Sequence, residues 1–430
     1  MNPVLEAVRS SSVLEAHAPR RSSIIADLTD RRPDPSELEL LGTGRALTYV
    51  KDGHELLIPV PRGGAVGAGA VYARNLPAPG SYAIDPTRFA VLTSRNLKTY
   101  ASQAWPGFQQ KVQQRIDKVG IVSKVYILGE ITLTPGAMTP TVRTSYPWNL
   151  IQRLKVSANG ISNLFYCDGL DLRALMRARA GFFFDREQVT TIPTGGGAAT
   201  NLKLIWEVPL SFDESLIGAI FAQTEDNELV VEIETPASAD IFSANAPTVA
   251  GTFKVVVEYF SIPYEDTREG RRIVLPDIRQ LHGALASDTA VNGVGEHIVN
   301  LMRTGGVLLR TFQRWDNAYA TQGPGVDDPA TWCSAHKFRY GGNVVPVDLP
   351  GLLNKFINEQ RYGDRPIPAA DLTASAVHYQ VDDYVFANSV RDVIHLLGIT
   401  EPQLLNQIVA GTTVNAGSMM HSVQEHMVAG

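Results

Sequence analysis

A chain of 430 residues, 44% hydrophobic and 19% charged, has room for two or three domains of about 150 residues and is too apolar for wholesale disorder. A net charge of −6 gives no general attraction for a polyphosphate, so specific or bulk nucleic-acid binding is not expected. Two cysteines, Cys167 and Cys333, are too few for a disulfide framework or a cysteine zinc site.

No run of apolar residues is long enough to span a bilayer, and Arg9, Glu15, Arg20 and Arg21 interrupt any leader-peptide core. Synthesis and folding in a reducing cytoplasm is the expectation. The 36 Gly and 26 Pro are spread along the chain, which fits many short elements joined by turns better than long helices.

Residues 1–95 have weak periodicity and many breakers, and read as an extended N-terminal arm. A short helix is expected at Val4–Val8 and a strand at Leu56–Val60. The Gly/Ala run from Gly63 to Ala70 is not a phosphate loop, because no Lys-Ser/Thr follows it.

Further on, Phe108, Val112 and Ile116 recur every four residues and suggest a short amphipathic helix. A long strand follows: Ile121, Val125, Ile127, Ile131 and Leu133 point one way, and Lys124, Tyr126, Glu130 and Thr132 the other. Leu154 and Val156 run into Asn159-Gly160, a strong hairpin signal because both central residues of a type I′ turn need positive φ. A return strand reaches Cys167. Three more alternating strands follow, around Leu202–Val208, Leu229–Ile233 and Phe253–Tyr259, each with one apolar and one polar face.

Past a charged connector, Glu265–Arg272, His297–Met302, Gly305-Gly306 and Val307–Phe312 read as a hairpin. So do Phe338–Tyr340, Gly341-Gly342-Asn343 and Val344–Val347. Val377, Tyr379 and Val381 alternate with His378, Gln380 and Asp382, and final strands are expected near Gln403–Val409 and Ser418–Val428.

The two halves echo each other. In the first, a hairpin and strand lead to Asp168, an amphipathic stretch, and Arg179-Ala180-Gly181. In the second, they lead to Asp348, Pro350, another amphipathic stretch, and Arg361-Tyr362-Gly363. Asp suits an N-cap, Pro a first turn and Gly a helix stop. The pattern predicts a duplicated β-sandwich with one helix inserted at the same place in each copy.

Three stretches within residues 105–265 give this arrangement a family likeness. They are Lys118–Ile121 running into the strand that ends near Thr134-Pro135; Pro147-Trp148-Asn149-Leu150-Ile151 through Asn159-Gly160 to the Asp168 helix; and Val208-Pro209-Leu210, then Glu228–Glu234 and Gly251–Ile262. In that order they resemble a double jelly-roll major capsid protein of the tectivirus and adenovirus-hexon lineage, as in tailless icosahedral phages.

The resemblance implies an all-β fold of two tandem eight-stranded jelly-roll β-sandwiches, each with a short inserted helix. Residues 1–95 would form the arm, 96–270 the first roll and 271–430 the second. It implies homotrimers packed as pseudo-hexagonal capsomers in the virion shell, with neighbouring capsomers, vertex proteins and minor capsid proteins as partners. In such viruses the shell often surrounds an internal membrane.

No catalytic, cofactor-binding or metal residue is assigned. The nine histidines are scattered, and His421 and His426 fall on opposite faces of a strand. Asp327-Asp328 and Asp382-Asp383 are weighed as cation ligands between subunits, but adjacent acids are more often solvated. Cys167, Trp148, Trp206, Trp315 and Trp332 read as core. The loops Thr194–Gly197 and Gly323–Asp328 are candidates for contacts between capsomers. The alternatives are a carbohydrate-binding or cupin-like sandwich, which needs histidines and carboxylates converging on adjacent strands, or another virion protein such as a spike. A tailed-phage shell fold would need a long spine helix that the pattern lacks.

Overall fold

A computed structural model describes the backbone of residues 45–51 and 54–60 and, with short interruptions, residues 93–180, 192–261 and 280–429. The Val4–Val8 helix, the 63–70 run and the 265–272 connector lie outside the described residues. The chain forms two compact units. In one, β1 (Arg45–Lys51) and β2 (His54–Val60) pair as an antiparallel hairpin, where a strand was expected at Leu56–Val60.

The other unit contains Arg95–Ser261 and Asp277–Gly430. Its principal elements run β3 (Arg95–Thr99), β4 (Lys111–Arg115), β5 (Ile121–Thr134), β6 (Arg153–Ala158), β7 (Ile161–Cys167), α1 (Gly169–Ala180), β8 (Thr200–Pro209), β9 (Val230–Glu234) and β10 (Thr248–Phe260). They continue as β11 (Gln280–Ala290), β12 (Gly295–Asn300), β13 (Val307–Asp316), β14 (Cys333–Tyr340), β15 (Val344–Pro350), α2 (Gly351–Tyr362), β16 (Gln380–Asp383), β17 (Gln403–Ile408) and β18 (Met419–Ala429).

The first eight strands build two sheets, ordered β8-β5-β10-β3 and β7-β6-β9-β4. The last eight repeat that order as β16-β13-β18-β11 and β15-β14-β17-β12. Each set is an eight-stranded jelly roll with its helix between the fifth and sixth strands, so the fold class and the echo are as the sequence implied. One sheet of each roll joins the other through β7 and β11, which pair in parallel (Ala284↔Phe165, Leu285↔Tyr166); among the described residues every other strand pair is antiparallel.

The core of the first roll follows from alternation. Val125, Ile127, Ile131 and Leu133 on β5 are buried, in register with Trp206 on β8 and Val255 on β10 across Ile127. Gly129 makes this packing possible: a Cβ there would lie 3.0 Å from the Trp206 ring, so the residue is small where the indole crosses the strand. Trp206 in turn packs edge-on against Trp148. The second roll has its own core around Trp315 and Trp332, whose rings are 5.4 Å apart, with Phe338, Leu404 and Met420.

Four sequence expectations are corrected. Phe108–Ile116 contains β4, not a helix. A spacing of four is also twice two, and Val112 is buried while Lys111 turns outward to Glu232 at 3.0 Å. The segments at 297–302 and 307–312 do not form a hairpin: β12 pairs with β17 and β13 with β18 and β16, in opposite sheets. Asp348 does not cap α2. It lies within β15, its carboxylate 3.1 Å from Lys337, and Pro350 is the last strand residue. In the 377–382 segment Val377 is buried as the alternation predicts, but from 380 on the alternation is inverted, since Gln380 and Asp382 are buried and Val381 only half-buried.

Candidate functional site

The polar chemistry of the molecule is concentrated where the two rolls meet. Helix α1 begins at a reciprocal cap: the Asp171 N–H donates to Asp168 Oδ1 at 2.7 Å, and the Asp168 N–H donates to Asp171 Oδ2 at 2.9 Å. The cap fixes two carboxylates of the first roll toward β13 of the second.

Arg314 of β13 answers them. Its Nη2 donates to Asp168 at 2.7 Å, its Nη1 to Asp171 at 2.9 Å and its Nε to Asp316 at 3.2 Å. The Tyr379 hydroxyl donates to Asp171 at 2.9 Å. His421 of β18 completes the cluster, with Nε2 3.0 Å from Asp171 and Nδ1 2.7 Å from Asp288 of β11.

Two cations here face four carboxylates, and burial decides which carboxylates stay ionised. Burial alone would raise Asp171, but His421 and Arg314 hold it well below the usual carboxylate range. Burial raises Asp168 and Asp316 despite Arg314, which moderates the excess negative charge. For His421, burial and Arg314 favour the neutral ring, yet the two flanking carboxylates prevail and its pKa is pushed up to about 10. Both of its nitrogens therefore donate.

A second cluster lies further along the same face. Arg310 bridges Asp383 at 3.0 Å and Glu425 at 2.9 Å; all three are buried. His282 Nε2 is 2.8 Å from Glu425, and its Nδ1 is 2.6 Å from the Pro209 carbonyl at the end of β8. Tyr362 of α2 donates its hydroxyl to Asp383. Burial would raise Glu425, but Arg310 and His282 hold it far below its usual value.

A third polar cluster sits inside the second roll. His336 lies between Asp382 at 2.6 Å and Asn406 at 2.8 Å, and Thr311 and Asn354 also donate to Asp382. Burial disfavours the charged ring, but Asp382 raises His336 above its ordinary value.

Asp168, Asp171 and His421 offer three ligand atoms within 4.8 Å of one another. Arg314 and Tyr379 already contact the same carboxylate oxygens, so the donor set is that of an ion-pair network. The arrangement holds two halves together, with each buried carboxylate meeting a cation or an N–H.

The acids weighed as intersubunit ligands are placed otherwise. Asp382 and Asp383 are buried within these clusters, neither solvated nor facing outward. Asp328 caps the short helix Pro329–Trp332 and meets Lys355 at 2.5 Å. Of the two candidate contact loops, Thr194–Gly197 is tied to the 136–139 turn by the Gly196 N–H to Gly136 bond of 2.8 Å. Gly323–Gly325 is buried, and the Gly325 N–H donates to Asp316 at 2.8 Å. Cys167 and the four tryptophans are core, as expected.

The sequence did not reveal the seam, because Asp171 and His421 are 250 positions apart. One local signal existed: on β13, Arg310 and Arg314 fall at the same parity as the apolar Leu308 and Phe312.

An exposed apolar surface stands apart from this. On α2, Leu352 is 70% and Phe356 53% exposed, with Leu353 beside them, and Val344 and Val345 on the preceding strand are exposed too.

No protein-family model matches the chain, and no curated protein sequence matches it. Solved structures do. The chain is similar to the STIV major capsid protein with a TM-score of 0.58 at 13% identity, over 78% of this chain and 97% of that one. The chain in the atomic structure of Sulfolobus turreted icosahedral virus gives 0.58 at 14% identity, over 78% and 91%. The PBCV-1 virus capsid gives 0.50 at 11% identity, over 78% and 94%. At such identities the likeness is one of fold: the tandem double jelly roll of icosahedral-virus capsid proteins.

Proposed function

We propose that this chain is a major capsid protein, trimerising into pseudo-hexagonal capsomers that tile the icosahedral shell of a tailless virus. The observation that carries the reading is the duplicated roll joined through one continuous sheet, in a chain whose overall fold is similar to the capsid proteins above. Two like sandwiches give a subunit two similar outlines, so three subunits approximate a hexagon. The charged seam supports a structural role, since its polar groups are spent on one another. The exposed apolar side chains of α2 supply surface for self-association.

On this reading residues 1–95 are the arm, 96–270 the first roll and 271–430 the second. The partners are other copies of this chain, vertex and minor capsid proteins, and an internal membrane where the virus has one. Among the described residues no helix is long and apolar enough to cross a membrane. The protein would be made in the host cytoplasm and reside in the virion.

Light scattering of the purified protein with electron microscopy of its assemblies tests the reading. Trimer mass and hexagonal capsomers are expected. A stable monomer that forms no higher assembly under native conditions would overturn it.

A further inference from the structure

The joint between the two rolls has a counterpart on the outside of the chain. Inside, the β7 edge of one sheet pairs in parallel with the β11 edge of another. In the duplicated rolls β15 corresponds to β7 and β3 to β11, and among the described residues β15 and β3 each pair with strands on one side only.

The strand registers fix which residues correspond. Hairpin β6–β7 sets Lys155 opposite Tyr166, and hairpin β14–β15 sets Lys337 opposite Asp348; Gly169 and Gly351 then open the two helices at the same distance along the chain. One bulge recurs in β5–β10 and β13–β18, and beyond it Lys124 faces Glu258 as Arg310 faces Glu425. Leu97 of β3 lies beside Glu258 as Ala284 of β11 lies beside Glu425. Asp171 thus corresponds to Leu353 and Arg314 to Leu128. Tyr379, which precedes β16, corresponds to Ile205, the register partner of Leu128 on β8.

The chemistry of the joint changes as a set. Asp171, Arg314 and Tyr379 bond one another across the seam, whereas their counterparts Leu353, Leu128 and Ile205 are all apolar. Leu353 is 43% and Ile205 40% exposed, and Leu128 is half-buried. Changing one member alone would leave a charge facing an apolar group; changing all three keeps the two surfaces matched. Phe356, the counterpart of Ala174 on α1, is likewise exposed. At the strand edges the charges match too. Lys98 corresponds to Leu285 and Asp348 to Tyr166, its register partner, so equivalent pairing would set a cation opposite an anion.

Resting on the trimer reading above, we infer that the α2–β15 face of one copy docks on the outer face of the β8-β5-β10-β3 sheet of a second copy, repeating the joint between the rolls with an apolar centre in place of a charged one. β15 runs parallel to the β3 of its neighbour, with Leu97 opposite Val347 and Lys98 opposite Asp348, and Leu353 packs on Leu128 and Ile205. Each copy carries one face of each kind, a head-to-tail contact that can close into a ring. An apolar joint closes without stripping water from a buried ion pair, which suits surfaces that meet only after folding.

The test uses the full-length protein. Neighbouring strands lie about 4.8 Å apart, within the Cα range a disulfide spans. Leu97→Cys combined with Val347→Cys should therefore give covalent dimers and trimers on a non-reducing gel after diamide treatment, and neither single variant should. Leu128→Arg and Leu353→Asp should each weaken association at least ten-fold in sedimentation velocity. Together they restore the seam's own pairing and should regain most of the loss. The inference falls, and the trimer reading stands, if the wild type forms trimers but the cysteine pair gives no interchain disulfide. The same holds if the two charged variants associate as the wild type does, or if combining them recovers nothing. Should a charged variant fail to fold by circular dichroism, the cysteine pair decides. A wild type that stays monomeric would remove both the inference and the reading beneath it.

Discussion

Arg314 of the second roll donates to Asp168 of the first at 2.7 Å, and the same guanidinium reaches Asp171 one helical turn on. This pair crosses the junction between the two sandwiches, where the core of the first roll also takes in Leu281, Ala284, Phe312 and Val423 of the second. Arg314 is buried, so removing it strands two carboxylates rather than deleting a surface charge. Arg314→Ala should cost about 3–5 kcal/mol of stability, and Arg314→Lys should recover part of it at most, because a single ammonium cannot fork to both acids. Urea denaturation of the two variants measures this.

The His421 imidazolium predicts an alkaline weakness. Its folded-state pKa, about 10, lies above an unfolded value near 6.5, so its contribution is fully present below about pH 6.5 and is lost as pH rises toward 10. Stability should decline over that interval by up to about 1.4 kcal/mol per pH unit from this group. His421→Leu should be less stable at pH 6 and should lack that part of the slope. Parallel pH profiles for the two proteins would reject the idea.

In acid the sign reverses. Asp171 and Glu425 are both held below their ordinary pKa values, so the stability they lend is present above about pH 4 and disappears as they protonate below it. Asp171→Asn should flatten the acid limb of the denaturation profile.

Gly283 lies at the junction strand. A Cβ there would stand 2.3 Å from the Leu164 carbonyl oxygen, so Gly283→Ala must push β11 away from β7. A cost of about 1–3 kcal/mol is expected, with faster amide exchange concentrated in β7 and β11. Exchange that rises evenly across both rolls would contradict this.

The face of α2 makes the opposite kind of prediction. Leu352 and Phe356 are exposed, so Leu352→Asp with Phe356→Asp should alter subunit stability by no more than about 0.5 kcal/mol per site while reducing self-association. Sedimentation velocity separates the two effects.

The sequence made most of the strands legible, because each roll has one wet face and strict alternation marks it. β5, β8 and β10 emerged from Ile, Leu and Val at every second position. The two turns at 159–160 and 341–343 located matching hairpins, and with them the duplication. Where alternation fails, the reading failed. β13 is buried on both faces, so Arg310, Arg314 and Asp316 look like solvated residues until α1 and α2 cover them. β4 is short enough for a period of four to mimic a helix. The seam was out of reach because it assembles from both halves of the chain, and nothing in the local pattern at Asp168 points to Arg314.

Parallel pairing of β7 with β11 fixes more than adjacency. β7 is the fifth strand of the first roll and leads directly into α1, and β11 is the first strand of the second roll, the counterpart of β3. Lying parallel, β7 and β11 orient the two rolls alike, which is why α1 and α2 come together at one end. The double unit thus has a top and a bottom, and insertions after β7 and β15 decorate a single side of whatever it is laid into.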